Sequence, residues 1–348
     1  MNELKFDSGN DACKALVKRV FEEGVKVEAS NKKNFSESYK KEIVELENTL
    51  YSFNNTDKML LGFNNLHCTP WWIVAETLSE MLAIHPHITQ KYAPKTFEWA
   101  YKLPENKIPC YSYGSRWAEN NSLLNIYRKL KKNPSSKRAV VPIFNSTDTG
   151  ENSDVPCTLL HRYCIRNNKL NVNVVWRSHD IFSGLFKVDL HLAYFLQNSL
   201  VSWLKADGLE VEPGIITGHD FSLHYYPYKN GEDIKILLKE FENNTEIDLY
   251  SDGVPEFPVL SIEEFYKELN RVRYVEEVSY GKGYEWCFEK INDIKSSYFR
   301  DWARIMIMKN ASTHELNEVF DKAFDSLENS VNKKWIELYE KNKGGVKK

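Results

Sequence analysis

The chain has 348 residues, 42% of them hydrophobic and 27% charged, with 46 basic against 49 acidic side chains. That composition excludes a disordered or collagen-like chain, and a formal charge of −3 offers no basic excess for nucleic acid. No run approaches ~18 apolar residues, and the first residues lack the apolar core of a secretion signal, so a soluble cytoplasmic protein is expected.

In chain order, Ala12, Leu16, Val17, Val20 and Phe21 recur at helical spacing and predict a helix. Ile43, Leu46, Leu50 and Phe53 predict a second, so residues 1–64 read as a helical segment packed on the core. A third helix is expected near Trp72–Ile84, stopped by His85-Pro86. Ala139–Phe144 is strand-like. Cys157–Arg166 and Leu170–Trp176 predict two further strands, with Asn167-Asn168 forming a two-residue hairpin turn because asparagine tolerates positive φ. An apolar helix over Leu190–Leu204 closes at Asp207-Gly208. Beyond residue 230 the chain turns helical again, with capping-box spacing at Ser261-x-x-Glu264 and Ser312-x-x-Glu315 and an apolar stripe from Leu316 to Leu327. Lys341–Lys348 reads as a frayed tail. The fold class expected is α+β: a central mixed sheet flanked by helices, a core over 65–254, and a mostly helical extension over 255–348.

The cysteines are Cys13, Cys68, Cys110, Cys157, Cys164 and Cys287, without any C-x-x-C pair, so neither a disulfide framework nor a zinc site is expected. Extending the pairing outward from the Asn167-Asn168 turn places Cys157 opposite Ser178, and Thr158 opposite Arg177. The Arg177 guanidinium then starts one position from the Cys157 thiol, and a fixed cation raises the fraction of reactive thiolate. Cys164 points to the other face and reads as core.

The segment around this hairpin, Val155-Pro-Cys157-Thr through Trp176-Arg177-Ser178-His179-Asp180, resembles the active-site hairpin of thymidylate synthases. Gly184, Gly208-Leu-Glu-Val211 and Thr217-Gly218-x-Asp220 continue the resemblance in order. Upstream, Leu130 to Arg138, Tyr113-Gly-Ser-Arg-Trp117 and Glu76 do the same, so it covers roughly residues 65–230. The resemblance implies a thymidylate synthase-like sheet and one-carbon transfer to C5 of a pyrimidine nucleoside monophosphate, with 5,10-methylenetetrahydrofolate as cosubstrate and no metal. It assigns Cys157 as nucleophile and Glu76 as a proton-relaying carboxylate. Arg177 and Ser178 fall on the phosphate, with Lys137 and Arg138 completing the partner's phosphate site in a homodimer. Tyr113 and Arg162 become further substrate contacts, and Asp180, Gly184 and Trp99 fall on the folate side.

The departures from the family pattern point to a cytosine base. Asp189 takes the place of the uracil-reading asparagine if one residue is inserted, whereas an ungapped alignment puts Val188 there. A carboxyl group that keeps or shares a proton complements cytosine. Ser222-Leu-His224 replaces the sugar-binding His-x-Tyr, and Lys137 replaces an arginine; both favour CMP, whereas Ser178, retained as in the deoxynucleotide enzymes, favours dCMP. Thr158 replaces a histidine, the Arg-Thr-Gly-Thr-Gly loop expected near 30–45 is absent, and 255–348 does not resemble the family's closing tail. Water would then reach the one-carbon intermediate, giving a 5-hydroxymethyl product from CMP or dCMP. The rivals are a divergent thymidylate synthase acting on dUMP, and a non-catalytic nucleotide- or RNA-binding regulator. His179, His191 and His219 read as structural, His219 being of most interest beside Asp220.

Overall fold

A computed structural model describes residues 3–28, 42–64, 69–83, 91–92, 112–149, 155–279 and 283–345. Its centre is an eight-stranded sheet. The order along the main path is β1 (Leu4–Phe6), β3 (Ile43–Phe53), β8 (Glu212–Tyr225), β6 (Lys169–Trp176), β5 (Thr158–Arg166) and β4 (Val140–Pro142). Two short strands join the side: β2 (Val25–Val27) on β3, and β7 (His179–Asp180) on β8. The sheet is mixed, with β6 parallel to β8 and antiparallel to β5.

Asn167 and Asn168 both adopt positive φ, 50° and 56°, and close the β5–β6 hairpin as the asparagine pair suggests. The pairing expected from that turn holds from Arg166 back to Leu160, opposite Val175. It then slips: Thr158 lies opposite Trp176, so Leu159 is an extra residue on β5. The bulge corrects the expected register by one, and Cys157 faces Arg177 directly, its carbonyl accepting from the Arg177 backbone N–H at 2.9 Å.

The first helix, α1 (Gly9–Glu23), forms as expected and buries Ala12, Leu16, Val17 and Val20. The second expected helix is strand β3, so the N-terminal segment supplies sheet edge as well as helix. Asn48, at φ 54°, interrupts the two-residue alternation of that strand and lets its apolar positions mimic helical spacing. Past it, Thr49, Tyr51 and Phe53 all face the core. Helix α2 (Pro70–Leu82) forms two residues ahead of its expected start and ends on Ala83 at φ 54°, while the expected stop at His85-Pro86 lies outside the described residues. Next come α3 (Tyr113–Glu119) and α4 (Ser122–Lys132). A nine-residue π-helix (Ile181–Asp189) then runs straight into α5 (Leu190–Ala206), nearly every residue of which is buried.

Helices α6 (Pro227–Asn243), α7 (Ile262–Val278), α8 (Tyr284–Ile291), α9 (Ser297–Thr313), α10 (Asn317–Asp325) and α11 (Ser330–Gly345) follow. The capping box at Ser261 and Glu264 forms with both of its hydrogen bonds. That at Ser312 does not: Ser312 lies inside α9, and Glu315 turns the chain at φ 57° before α10 starts. The expected frayed tail is helical through Gly345. Among the described residues no helix is long and apolar enough to cross a membrane.

Sheet register separates two faces. His161, Tyr163, Val172, Val174, Trp176 and Asp220 are buried on one. The other carries the row Val140–Arg162–Asn173–Thr217, with Ile215, His219 and Phe221 along β8. Val140, Ile215 and Phe221 are 38%, 40% and 43% exposed there.

Asp301 anchors the C-terminal helices. Fully buried on α9, its carboxylate accepts from the Arg304 guanidinium, the Glu328 and Asn329 backbone N–H groups and the Asn332 side chain, at 2.9 to 3.0 Å. Asp301→Ala strands those donors in a water-poor interior. It is expected to cost about 3 kcal/mol of stability, measured as a lowered urea midpoint.

Candidate active site

The site grows from the bulged end of the β5–β6 hairpin. Arg177 folds its side chain back over the loop before Cys157: Nε donates to the Pro156 carbonyl and Nη2 to that of Val155, both at 2.9 Å. Nη2 also lies 3.9 Å from the sulfur of Cys157. That thiol is partly exposed, whereas Cys13, Cys164 and Cys287 are buried, Cys164 as expected from strand alternation. Two carbonyls therefore fix a guanidinium beside the one accessible thiol among the described cysteines.

Tyr113, at the start of α3, closes over the same point. Its hydroxyl accepts from the Thr158 backbone N–H at 3.4 Å. Burial, and then the nearby Cys157 and Asp189, push its pKa well above the usual phenol value, so the hydroxyl keeps its proton. Thr158, which stands where the family has a histidine, thus contributes a backbone donor.

Asp189 enters at the end of the π-helix. A π turn takes one more residue than an α turn, and Asp189 is the last residue of this one. Val188 packs into the core at 8% exposure. Asp189 instead meets His179, whose Nε2 lies 3.0 Å from its Oδ2. The other ring nitrogen, Nδ1, lies 2.8 Å from Oδ1 of Asp220. His179 is buried and stacks on Trp176 with ring centres 4.4 Å apart and planes 22° apart. Burial alone would depress its pKa, but the charge of Asp220 and hydrogen bonds with Asp189 and Asp220 lift it to about 10. His179 therefore carries its proton at neutral pH. Tyr51, raised well above the phenol range by burial and by Asp220, ends the chain of groups. His161, pushed down to about 4 by burial, stays neutral nearby.

The remaining expected residues divide. Asp180 caps the π-helix, its Oδ1 accepting from Phe182 N and Ser183 N, and its Oδ2 lies 3.9 Å from Lys229. Gly184 packs against the histidine clamp: a Cβ there would meet His179 Cδ2 at 2.8 Å and Asp189 Oδ2 at 2.9 Å. Ser222 hydrogen-bonds Glu45, a residue the sequence reading did not single out, and lies 3.5 Å from His224 Nδ1. His224 is buried opposite Asp180, and burial lowers its pKa. Glu76 is the less buried member of an otherwise buried run on α2, which packs on α3 and on the π-helix. Arg162 does not join the group; it lies on the open sheet face and bonds Asn173 at 2.9 Å. Lys137 and Arg138 are exposed on the turn before β4. Trp99 lies outside the described residues. Among the described residues no three His, Cys, Asp or Glu side chains gather as a metal site.

The family model described as thymidylate synthase matches residues 16–265. The chain belongs to the thymidylate synthase family. A deoxyuridylate hydroxymethyltransferase of Bacillus phage SP01 is 32% identical over 132 residues, 37% of this chain and 33% of the relative. A thymidylate synthase of Wigglesworthia glossinidia brevipalpis is 36% identical over 129 residues, 34% of this chain and 45% of the relative. The chain spans about half the length of the curated relatives it matches, or 55% of one from Methanothermobacter thermautotrophicus at 31% identity. The solved thermostable thymidylate synthase A from Bacillus subtilis shares the fold, with a TM-score of 0.50 at 16% identity, covering 66% of this chain and 84% of that one.

Sequence reasoning missed His179 as a site residue and favoured His219, which lies on the open sheet face edge-on to Phe221 at 4.9 Å. The available signal was position, since His179 stands inside the Arg-Ser-x-Asp motif. Because its pKa is raised from the ordinary 6.5 to about 10, the charged pairs of His179 stabilise the fold fully below about pH 6.5. That contribution shrinks as pH rises and is gone above about 10. The stability gap between wild type and His179→Gln, from urea denaturation at pH 6 and pH 10, is expected to narrow at the higher pH.

Proposed function

We propose that this chain transfers a one-carbon unit to C5 of a pyrimidine nucleoside monophosphate through a transient bond between Cys157 and C6 of the ring. The observation that carries this reading is the Arg177 guanidinium held 3.9 Å from a partly exposed thiol. A fixed cation favours thiolate. The sulfur electron pair forms the S–C6 bond and the C5–C6 π pair shifts to C5, which becomes a carbon nucleophile. C5 would take up the carbon unit, loss of the C5 proton would expel the carrier nitrogen, and addition of hydride (methylation) or hydroxide (hydroxymethylation) to the exocyclic carbon would expel the thiolate and restore the ring. Glu76 is the carboxylate assigned to that proton transfer, through water. Tyr113 already accepts from Thr158 and keeps its own proton, so it acts as a donor beside the sulfur.

Arg177 donates from Nε and Nη2 to the protein, which leaves Nη1 for the 5′-phosphate beside Ser178. Lys137 and Arg138 of a second copy complete that phosphate site in the proposed homodimer. The open sheet face, with Val140, Ile215 and Phe221 exposed, supports such a pairing. Bound methylenetetrahydrofolate would supply the carbon unit. Asp180 fits a pterin edge through Oδ2 alone, since Oδ1 is occupied by the helix cap. Ser222 and His224 are assigned to the sugar.

Base and product rest on two different observations. A carboxylate at Asp189, which can accept from an exocyclic amino group, supports CMP or dCMP and, with no resemblance to the family's closing tail after residue 255, a 5-hydroxymethyl product. The relatives weigh towards dUMP: most carry the thymidylate synthase name, and the phage relative's name specifies deoxyuridylate. Methylation of dUMP is the reading those names favour. C5 one-carbon transfer is the conclusion common to both.

Incubation with methylenetetrahydrofolate and each of CMP, dCMP and dUMP separates them. Dihydrofolate forms only with methylation, whereas hydroxymethylation leaves tetrahydrofolate. Cys157→Ala is expected to reduce tritium release from C5 to background; turnover that survives would remove the covalent mechanism. Phe221→Glu, on the open face, is expected to shift sedimentation from dimer to monomer.

A further inference from the structure

His179 is a buried histidine whose two ring nitrogens both face carboxylate oxygens, Asp189 at 3.0 Å and Asp220 at 2.8 Å. A carboxylate has no hydrogen to give, so each contact is attractive only when the nitrogen carries the proton. The ring cannot swing away. Trp176 stacks against it, Gly184 leaves room only for a hydrogen on the other side, and Trp176 and Asp220 are partners on one sheet rung. A mobile aspartate at the end of a π-helix could present either oxygen to the cleft, in either protonation state. This one is gripped by Oδ2, so Oδ1 is the atom left for a ligand.

We infer that His179 is a positioning residue for base recognition: it clamps Asp189 between itself and the cleft, so that Asp189 meets the pyrimidine edge as a single, acceptor-only oxygen. The inference rests on the reading that a pyrimidine nucleotide occupies the cleft beside Cys157. Its chemical consequence is directional. The base must offer an N–H at that point, which cytosine does through its amino group and uracil does only at N3, where the adjacent O4 meets the same carboxylate unfavourably. Asp220 and Trp176 act on specificity only through the ring they hold, and Tyr51 faces Asp220 from β3.

The test uses the full chain. Labelling of histidine with ¹⁵N reports the clamp independently of turnover: wild type should show one histidine with both ring nitrogens protonated at pH 8.5, and Asp189→Asn should lose that signature. Kinetics and nucleotide binding then report its function. His179→Gln can donate to only one of the two carboxylates and is expected to raise KM for dCMP and CMP about 10- to 100-fold, a displaced contact costing up to about 100-fold. The effect on kcat should be smaller, and the preference over dUMP should fall. Should His179→Gln fold poorly, Gly184→Ala keeps the imidazole and favours the helix, yet presses on both members of the pair; it should shift the same ratio in the same direction. An active wild type in which both variants leave KM and the dCMP-to-dUMP ratio unchanged overturns the inference while the covalent reading stands. So does a neutral His179 at pH 8.5. A wild type that releases no C5 tritium from any of the three nucleotides overturns the covalent reading itself, and with it the recognition role.

Discussion

A guanidinium bonded to two carbonyls just ahead of the cysteine is the contact on which the site depends. Arg177 can make it only because the β5–β6 hairpin turns in two residues and then gains one at Leu159, which brings the arginine level with the thiol. The same bonds that direct the cation at sulfur also shape the loop that presents the sulfur. Positioning and electrostatics are thus one interaction, and the charge is already in place beside the sulfur.

Around that fixed point the elements contribute by their ends. The hairpin brings Cys157 and Arg177, α3 brings Tyr113, the π-helix brings Asp189, and β8 brings Asp220, Ser222 and His224. Tyr113 and Asp189 sit on helices packed against buried α2 and α5, so packing energy holds those side chains to their places. Two of the buried polar groups are held by named partners. His179 has two acceptors, and the Tyr113 hydroxyl has a backbone donor. A partly satisfied version of either would cost more than an apolar replacement.

Much of this was legible in the residues. The hairpin followed from Asn167-Asn168 and the alternation on either side, the cysteine from its proximity to Arg177, and α2, α5 and α7 from spacing and caps. What the sequence concealed had local causes. A positive-φ asparagine disguised β3 as a helix, since Asn48 breaks the two-residue period that identifies a strand. A single bulged residue shifted the register by one, and bulges leave no compositional mark. His179 escaped notice because its two partners are 10 and 41 residues distant and meet it only once β7, β8 and the π-helix are assembled. The Ser312 capping pattern failed because α9, with Asn310 and Ala311 buried in its last turn, runs through it.

The nine-residue π-helix carries a consequence for how such a pocket can diverge. Because an α-helix advances about 100° per residue, loss of one residue there, with α5 held in the core, would turn Gly184 and the residues before it relative to Asp189 without a single substitution. The meeting of Gly184, His179 and Asp189 is therefore encoded in chain length as much as in side-chain identity. One codon's insertion or deletion could make or undo that contact while α5 stays seated in the core.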